Sequence, residues 1–353
     1  VAFLKPSVLL VGNFLSSSVG SRFVCEDLEV HLKMAGWRVL VTSTRSNRLV
    51  RLLDMIATVI VKRKHYQVAN VDIYSGLAFT WGEIVCSLLR LMNKPFLLTL
   101  HGGGLAEFAK RYPGRVKRLL SHAKAVTTPS HFLQGALQPF SSDIIYLPNA
   151  IHVSHYPYEL RSTPSPELVW LRAFERIYHP EDAVSTLAIL LKDFPKARLY
   201  LIGPDKGDGT FQEVEKLADS LRVRDKITFA GSVAKDKVPL WLNKGDIFLN
   251  TTAYESFGVS VIEAGAVGLP IVTTNVGELS HIWQDRKDAI LVPVNDPQCM
   301  AQAVCEILTE PGLAAGLSRK AREKAERFDW ANILPVWEDL FMKIGSNNRE
   351  NLI

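Results

Sequence analysis

Short apolar runs alternate with helix-length amphipathic stretches along nearly the whole chain, and they do so in two successive blocks. The first block holds SVLLVG (residues 7–12), RVLVTST (38–44), VDIYSG (71–76), PFLLTLHGGG (95–104), AVTTPS (125–130) and IIYLPNA (144–150). The second holds ELVWLRAF (167–174), ARLYLIGP (197–204), KITFAGSV (226–233), DIFLNTT (246–252), PIVTTN (270–275) and AILVPV (289–294). Strands that are apolar throughout and separated by helices are buried on both faces, which is the condition of a parallel sheet covered by helices. Between the blocks, SHYPYELRSTPSP (154–166) carries three prolines and no helical period, the pattern of a linker. A chain of 353 residues is long for one domain. The expectation is an α/β protein of two doubly wound, parallel-sheet domains facing a cleft. The domains are set at 1–155 and 156–335, with a terminal helix and tail at 336–353. The last helix bears Ile333, Leu334, Trp337, Leu340 and Phe341 at helical spacing, a stripe that must bury against something and is expected to cross back to the first domain.

Composition narrows the function classes. Hydrophobic residues are 47% and charged residues 22%, as in a packed globular protein, and the formal charge of +5 demands no nucleic acid. Cys25, Cys86, Cys299 and Cys305 are scattered without paired spacing, which reads as reduced thiols in a cytoplasmic protein. Glu83, Arg90 and Lys94 interrupt the most apolar region, so no membrane span is expected. No histidine and acid cluster has metal-ligand spacing, and no secretory leader is evident. Two basic stretches, VKRKHY (61–66) and the run with Lys110, Arg111, Arg115, Lys117 and Arg118, are candidates for peripheral contact with an anionic membrane. A solvated helix face explains them equally well.

YESFGVSVIEAGAVGLP (254–270) carries the chemistry. Glu255 and Glu263 stand eight positions apart around Phe257-Gly258, at what reads as a loop-to-helix junction between two strands. In open α/β sheets, ligands bind where strand ends meet helix starts. Free N–H groups there face anions such as a diphosphate. Two carboxylates and a row of amides suit a sugar nucleotide, although an ordinary surface loop and helix can also carry two glutamates. His101, at a strand end before three glycines, and Gly12, at the end of the first strand, are placed to meet a ligand in the first domain.

These motifs resemble the retaining glycosyltransferases of the GT-B fold, glycosyltransferase family 4 (group 1). The resemblance rests on Glu255 and Glu263 with seven residues between them and on the run Glu263, Ala264, Ala266, Gly268, Pro270. It is carried further by LTLHGGG, VTTPSHFL, LPNAIHV and Phe328-Asp329-Trp330, all in order along the chain. It implies a hexosyltransferase, with a UDP-sugar favoured over a GDP-sugar and glucose as the first guess. The acceptor would be a glycan or lipid-linked sugar in envelope or exopolysaccharide synthesis. It also implies Glu255, His101 and Arg172 as catalytic residues, and Gly12, Arg176, Lys206, Phe257, Gly258, Val259 and Glu263 as donor-binding residues. No cofactor beyond the nucleotide sugar is implied, and no acid-rich motif for a catalytic metal is present, so fixed cations are expected to hold the diphosphate. Where the family usually has a lysine, the chain has Tyr178. Arg176 and Lys206 therefore compete as the second cation. A GT-B epimerase and a catalytically silent sugar-nucleotide-binding partner protein remain as alternatives, and a phosphorylase lacks an evident lysine for pyridoxal phosphate.

Overall fold

A computed structural model describes residues 5–14, 24–42 and 44–346. The chain divides into two compact units, Val1–Asn149 with Trp330–Ile353, and Ala150–Asp329. The expected divisions at 155/156 and 335/336 stand beside these observed ones at 149/150 and 329/330. Residues 15–20 of the loop after Gly12 and residues 347–353 of the tail lie outside the described residues.

Unit 1 begins with β1 (Val8–Val11), α1 (Val24–Met34), β2 (Val39–Val41), α2 (Arg48–Val61), β3 (Val68–Ile73) and α3 (Leu77–Leu91). It continues with β4 (Phe96–Leu100), α4 (Gly104–Arg111), α5 (Pro113–Leu120), β5 (Ala125–Thr128), α6 (His131–Leu137) and β6 (Ile144–Tyr146). The strands are all parallel, in the order β2-β1-β3-β4-β5-β6. Order therefore reverses between β1 and β3, and the crevice at their carboxyl ends is where a doubly wound sheet takes ligands. One face of the sheet buries Leu9, Val71, Leu98 and Val126 against Val59 of α2, Val85 of α3 and Leu133 of α6.

Unit 2 holds β7 (Glu167–Leu171), α7 (Pro180–Leu190), β8 (Arg198–Ile202), α8 (Thr210–Ser220), β9 (Ile227–Gly231), α9 (Val238–Leu242) and β10 (Ile247–Asn250). Then follow α10 (Val259–Val267), β11 (Ile271–Thr274), α11 (Leu279–Ile282), β12 (Ile290–Val292), α12 (Pro297–Thr309) and α13 (Leu313–Glu326). Its sheet is also parallel, in the order β12-β11-β10-β7-β8-β9, and reverses between β7 and β10. Successive residues of a strand go to opposite faces. Leu168 and Trp170 enter one core with α7, α8 and α12, while Val169 enters the other with α10 and α13. Each such side chain, fully removed from water, stabilises the fold by about 1.5–3 kcal/mol. This two-sided burial is why the strand sequences show no polar alternation.

The proline-rich stretch is not a spacer. It belongs to unit 2 and is packed there: Tyr156 and Arg161 are buried. Arg161 donates to the Glu159 carbonyl at 2.8 Å, to Asn243 at 2.8 Å and to Asp246 at 3.2 Å. Prolines exclude a helix, but one guanidinium that satisfies several acceptors lets an irregular segment be buried.

The last helix, α14 (Trp330–Ser346), belongs to unit 1 and packs on α1 and β3. Its expected stripe is inward, with Ile333, Trp337 and Phe341 buried. Trp330 stacks on His31 at 3.9 Å, and Glu338 accepts from Lys5 Nζ and Trp37 Nε1, each at 2.6 Å.

Candidate functional site

In unit 2 the sheet order decides what meets. Arg172 directly follows β7 and Glu255 lies in the loop after β10, so the two sit at the carboxyl ends of the strands that flank the reversal. Arg172 Nη2 is ion-paired with Glu255 Oε2. The other carboxylate oxygen, Oε1, accepts from the backbone N–H of Ser256 at 3.0 Å and of Phe257 at 3.2 Å. The guanidinium also lies 4.6 Å from the ring of Tyr178. Burial lowers the pKa of Arg172, and the charges of Tyr178 and Glu263 oppose that shift. A guanidinium on an aromatic face keeps its donor fork aimed.

Glu263 is in α10, which starts at Gly258 with no side-chain cap. The carboxylate is buried, and its Oε1 accepts from Tyr156 OH at 2.5 Å and pairs with Lys235. Gly258 sits at φ 92°, a conformation that favours glycine. Gly277 at φ 51° presses its backbone on that of Glu255, and the Glu278 N–H donates to the Glu255 carbonyl at 3.0 Å. The loop after β11 thus braces the loop after β10.

The structure sorts the expected donor residues of this unit. It joins Arg172, Glu255, Glu263 and Gly258 in one locality. Phe257 is buried, edge-on to Phe328 at 5.6 Å, and its N–H is taken by Glu255 rather than left for a ligand. Val259 opens the uncapped helix. Arg176 does not stand beside Arg172 as a second cation: it is exposed and bonded to Glu213 at 3.1 Å, because the turn at 176–178 directs it to α8. Lys206 is exposed in the loop after β8. Lys235 and Tyr156, which sequence reasoning missed, are the residues on Glu263. Neither belongs to a motif, and only the fold brings them to α10.

Unit 1 has a second cluster at the ends of β1, β3 and β4. His101 follows β4, is buried, and places Nε2 3.3 Å from Asp72 Oδ1 of β3. Its ring stacks on Tyr74 at 5.1 Å. Asn70 Nδ2 donates to the same Asp72 oxygen at 3.4 Å, Thr99 donates to Asn70 at 2.8 Å, and Thr127 donates to Thr99 at 3.1 Å. A polar ladder thus crosses three strands and orients the carboxylate toward the imidazole. Gly12 follows β1, and a β-carbon there would come within 2.5 Å of Asp72 Oδ2. Burial, with the Asp72 charge next, pushes the Tyr74 phenol and the Cys25 thiol well up, so both stay protonated.

The basic run expected at a membrane is partly spent within the unit. Lys110 pairs with Glu107, and Arg115 pairs with Glu83 and donates to Thr80 at 3.0 Å. Lys117 and Arg118 are exposed. Among the described residues, no helix is long and apolar enough to cross a membrane, and no group of three His, Cys, Asp or Glu is placed to hold a metal ion.

Residues 159–324 match the family model described as glycosyl transferases group 1. A D-inositol 3-phosphate glycosyltransferase of Streptomyces avermitilis is 28% identical over 168 residues, 46% of this chain and 36% of that protein. A glycogen synthase of Mycobacterium tuberculosis is 26% identical over 216 residues, 60% of this chain and 51% of that protein. The chain thus spans about a third to a half of the length of these curated relatives. Among solved structures, sucrose-phosphate synthase from Thermosynechococcus elongatus superposes with a TM-score of 0.78 at 19% identity, covering 97% of this chain and 100% of that one. Anabaena Alr3699/HepE, solved in complex with UDP and glucose, gives 0.72 at 16% identity, covering 98% and 99%. These likenesses show the fold, the two six-stranded units of GT-B type. Residues 159–324, within unit 2, thus carry the likeness to the group 1 glycosyl transferases.

Proposed function

We propose that the chain is a retaining hexosyltransferase that takes a nucleotide diphosphate sugar in unit 2, UDP-glucose before others, and transfers the hexose to a glycan or lipid-linked sugar of envelope or exopolysaccharide synthesis. The single observation that carries this reading is the Arg172–Glu255 pair at the sheet reversal, beside the buried carboxylate of Glu263. Glycosyl transfer breaks the bond between the anomeric carbon and the β-phosphate oxygen. The electron pair stays on the phosphate, the acceptor oxygen forms the new bond, and its proton goes to the departing phosphate. Arg172 neutralises the charge that grows on that oxygen, where a preoriented donor is worth most. Its present partner, Glu255, is then released to accept sugar hydroxyls. Glu263 takes the ribose hydroxyls, and the uncapped N–H groups at Val259 face the diphosphate. His101, fixed by Asp72 at the strand ends of unit 1, is the catalytic residue of that unit in this reading. The reaction in this reading runs on fixed cations, with no metal or further cofactor. The likeness to a D-inositol 3-phosphate glycosyltransferase and a glycogen synthase supports the class of reaction and leaves the acceptor open.

The test is a thermal-shift screen with UDP, GDP, ADP and dTDP, followed by assay of UDP release from UDP-glucose. A selective rise in melting temperature and slow release are expected, and NMR of the first product should show the donor's anomeric configuration. Stabilisation by none of the four nucleotides, with no release, would overturn the reading. An inverted anomer would remove the retaining mechanism.

A further inference from the structure

Unit 1 contains a cavity of about 390 Å³ at its own sheet reversal, within the range of small-ligand pockets. Gly12, Asn13 and Asp72 line it at the ends of β1 and β3, and Arg48, Arg51 and Trp81 line it from α2 and α3. Asn47 fixes where α2 starts, because its side chain accepts from the N–H groups of Leu49 and Val50 at 3.0 and 3.2 Å. Arg48 and Arg51 then fall three positions apart on one helix face. The Arg51 guanidinium lies 5.4 Å from the Trp81 ring, which holds it in place.

Arg48 is exposed and Arg51 partly buried, and the setting of Arg51 is costly without a ligand. Among the described residues, neither has a carboxylate within ion-pair distance, and Arg51 Nε is buried with no hydrogen-bond partner. Burial, with the neighbouring Arg48 charge next, depresses the Arg51 pKa. Two like charges, one of them partly dehydrated, are stabilised by an anion between them. Asp72 in the same cavity is turned to His101 and pairs with neither arginine. The cavity therefore presents a hydroxyl acceptor at its floor and a cationic wall beside it.

We propose that this cavity binds an acceptor that carries a phosphate-class anion close to its hydroxyls, with Arg48 and Arg51 holding the anion. The proposal rests on the glycosyl-transfer reading above and names the acceptor class for it. The phosphate could be that of a soluble ester or of a lipid-linked sugar. The opposite face of α2 leaves Leu49, Leu53 and Val61 exposed at 74%, 66% and 67%, so both sources are to be tried.

The experiment is calorimetric titration of the full chain with glycerol 1-phosphate, with glycerol as the uncharged control. In parallel, the chain is sedimented with phosphatidylglycerol and phosphatidylcholine vesicles. Wild type is expected to bind a phosphate-bearing probe and not its neutral counterpart. Arg48→Gln and Arg51→Gln should each weaken that binding about tenfold, and Arg51→Lys less. Lys196→Gln removes the same charge from an exposed site in unit 2, outside the cavity and both basic stretches, and should change nothing. A response to the soluble probe supports a soluble phosphate, and a response to anionic vesicles alone supports a lipid-borne one. Equal binding of both probes by wild type and the Arg48→Gln/Arg51→Gln double variant overturns the proposal, as does an equal loss in Lys196→Gln. UDP affinity, read in unit 2, should be unchanged in every variant. Its absence in wild type would strike the glycosyl-transfer reading and leave the phosphate result to judge the cavity.

Discussion

Arg172 and Glu255 are each other's counter-charge, drawn from the ends of β7 and β10, the two strands on either side of the reversal in the second sheet. Both are largely buried, with side-chain exposures of 19% and 7%. Such a pair holds the loop after β10 in place, and in the proposed donor site its guanidinium would meet the incoming phosphate. Removing one partner strands the other charge. Glu255→Gln or Arg172→Gln alone should cost about 3–5 kcal/mol in urea unfolding, and the double variant clearly less than the sum. Donor turnover should fall about 10²–10³-fold in each. Additive stability losses in the double variant would show that the pair does not act as a unit.

Gly277 tests the brace behind that pair. A β-carbon there would run into the carbonyl of Glu255. Gly277→Ala should therefore move Glu255 while leaving both sheets intact. The expected stability cost is about 1–2 kcal/mol, and kcat/KM for the donor should drop more than tenfold. A variant that loses stability but turns over normally would separate the loop after β11 from catalysis.

The twelve strands among the described residues were legible because runs such as DIFLNTT and PIVTTN are buried on both faces and bounded by turn residues. Arg172, Glu255, Glu263 and His101 were legible because each sits beside a strand end or helix start that the pattern itself marks. Partners were not. Tyr156 lies in a proline-rich stretch whose composition suggests a linker, yet packing brings its hydroxyl to Glu263 across 107 positions. Lys235 comes from a short charged loop indistinguishable from any solvated turn. Asp72 is marked by no motif, and only the pairing of Asp72 with Thr99 shows the ladder beneath His101. Arg176 illustrates the converse: it competed with Lys206 as the second cation, but the turn at 176–178 faces it to Glu213.

The two partners of Glu263 should separate by their burial. Tyr156 is buried and donates a neutral hydrogen bond, so Tyr156→Phe should cost about 1–3 kcal/mol of stability. Lys235 is half exposed, and Lys235→Ala should cost under about 1 kcal/mol. With its ammonium as the second cation of the proposed donor site, the affinity for UDP, measured by calorimetry, should fall about tenfold. Unchanged UDP affinity in Lys235→Ala would return that role to Lys206.

Asp182, in the first turn of α7, gives unit 2 a pH dependence of definite sign. Burial, with Glu181 next, pushes its carboxyl from 3.8 up to about 6, with His179 opposing and Asp296 adding a little. Between those two values the folded chain holds a proton that the unfolded chain has released. Stability therefore falls as pH rises through this window, and above about pH 6 the cost is present in full. The shift corresponds to about 3 kcal/mol at most, and partial solvation reduces this to about 1–2 kcal/mol. Asp182→Asn is neutral at every pH. It should be more stable than wild type by that amount at pH 8, and the advantage should vanish below about pH 4, as read from urea midpoints at matched ionic strength. An advantage of equal size at both pH values would assign it to packing rather than to the proton.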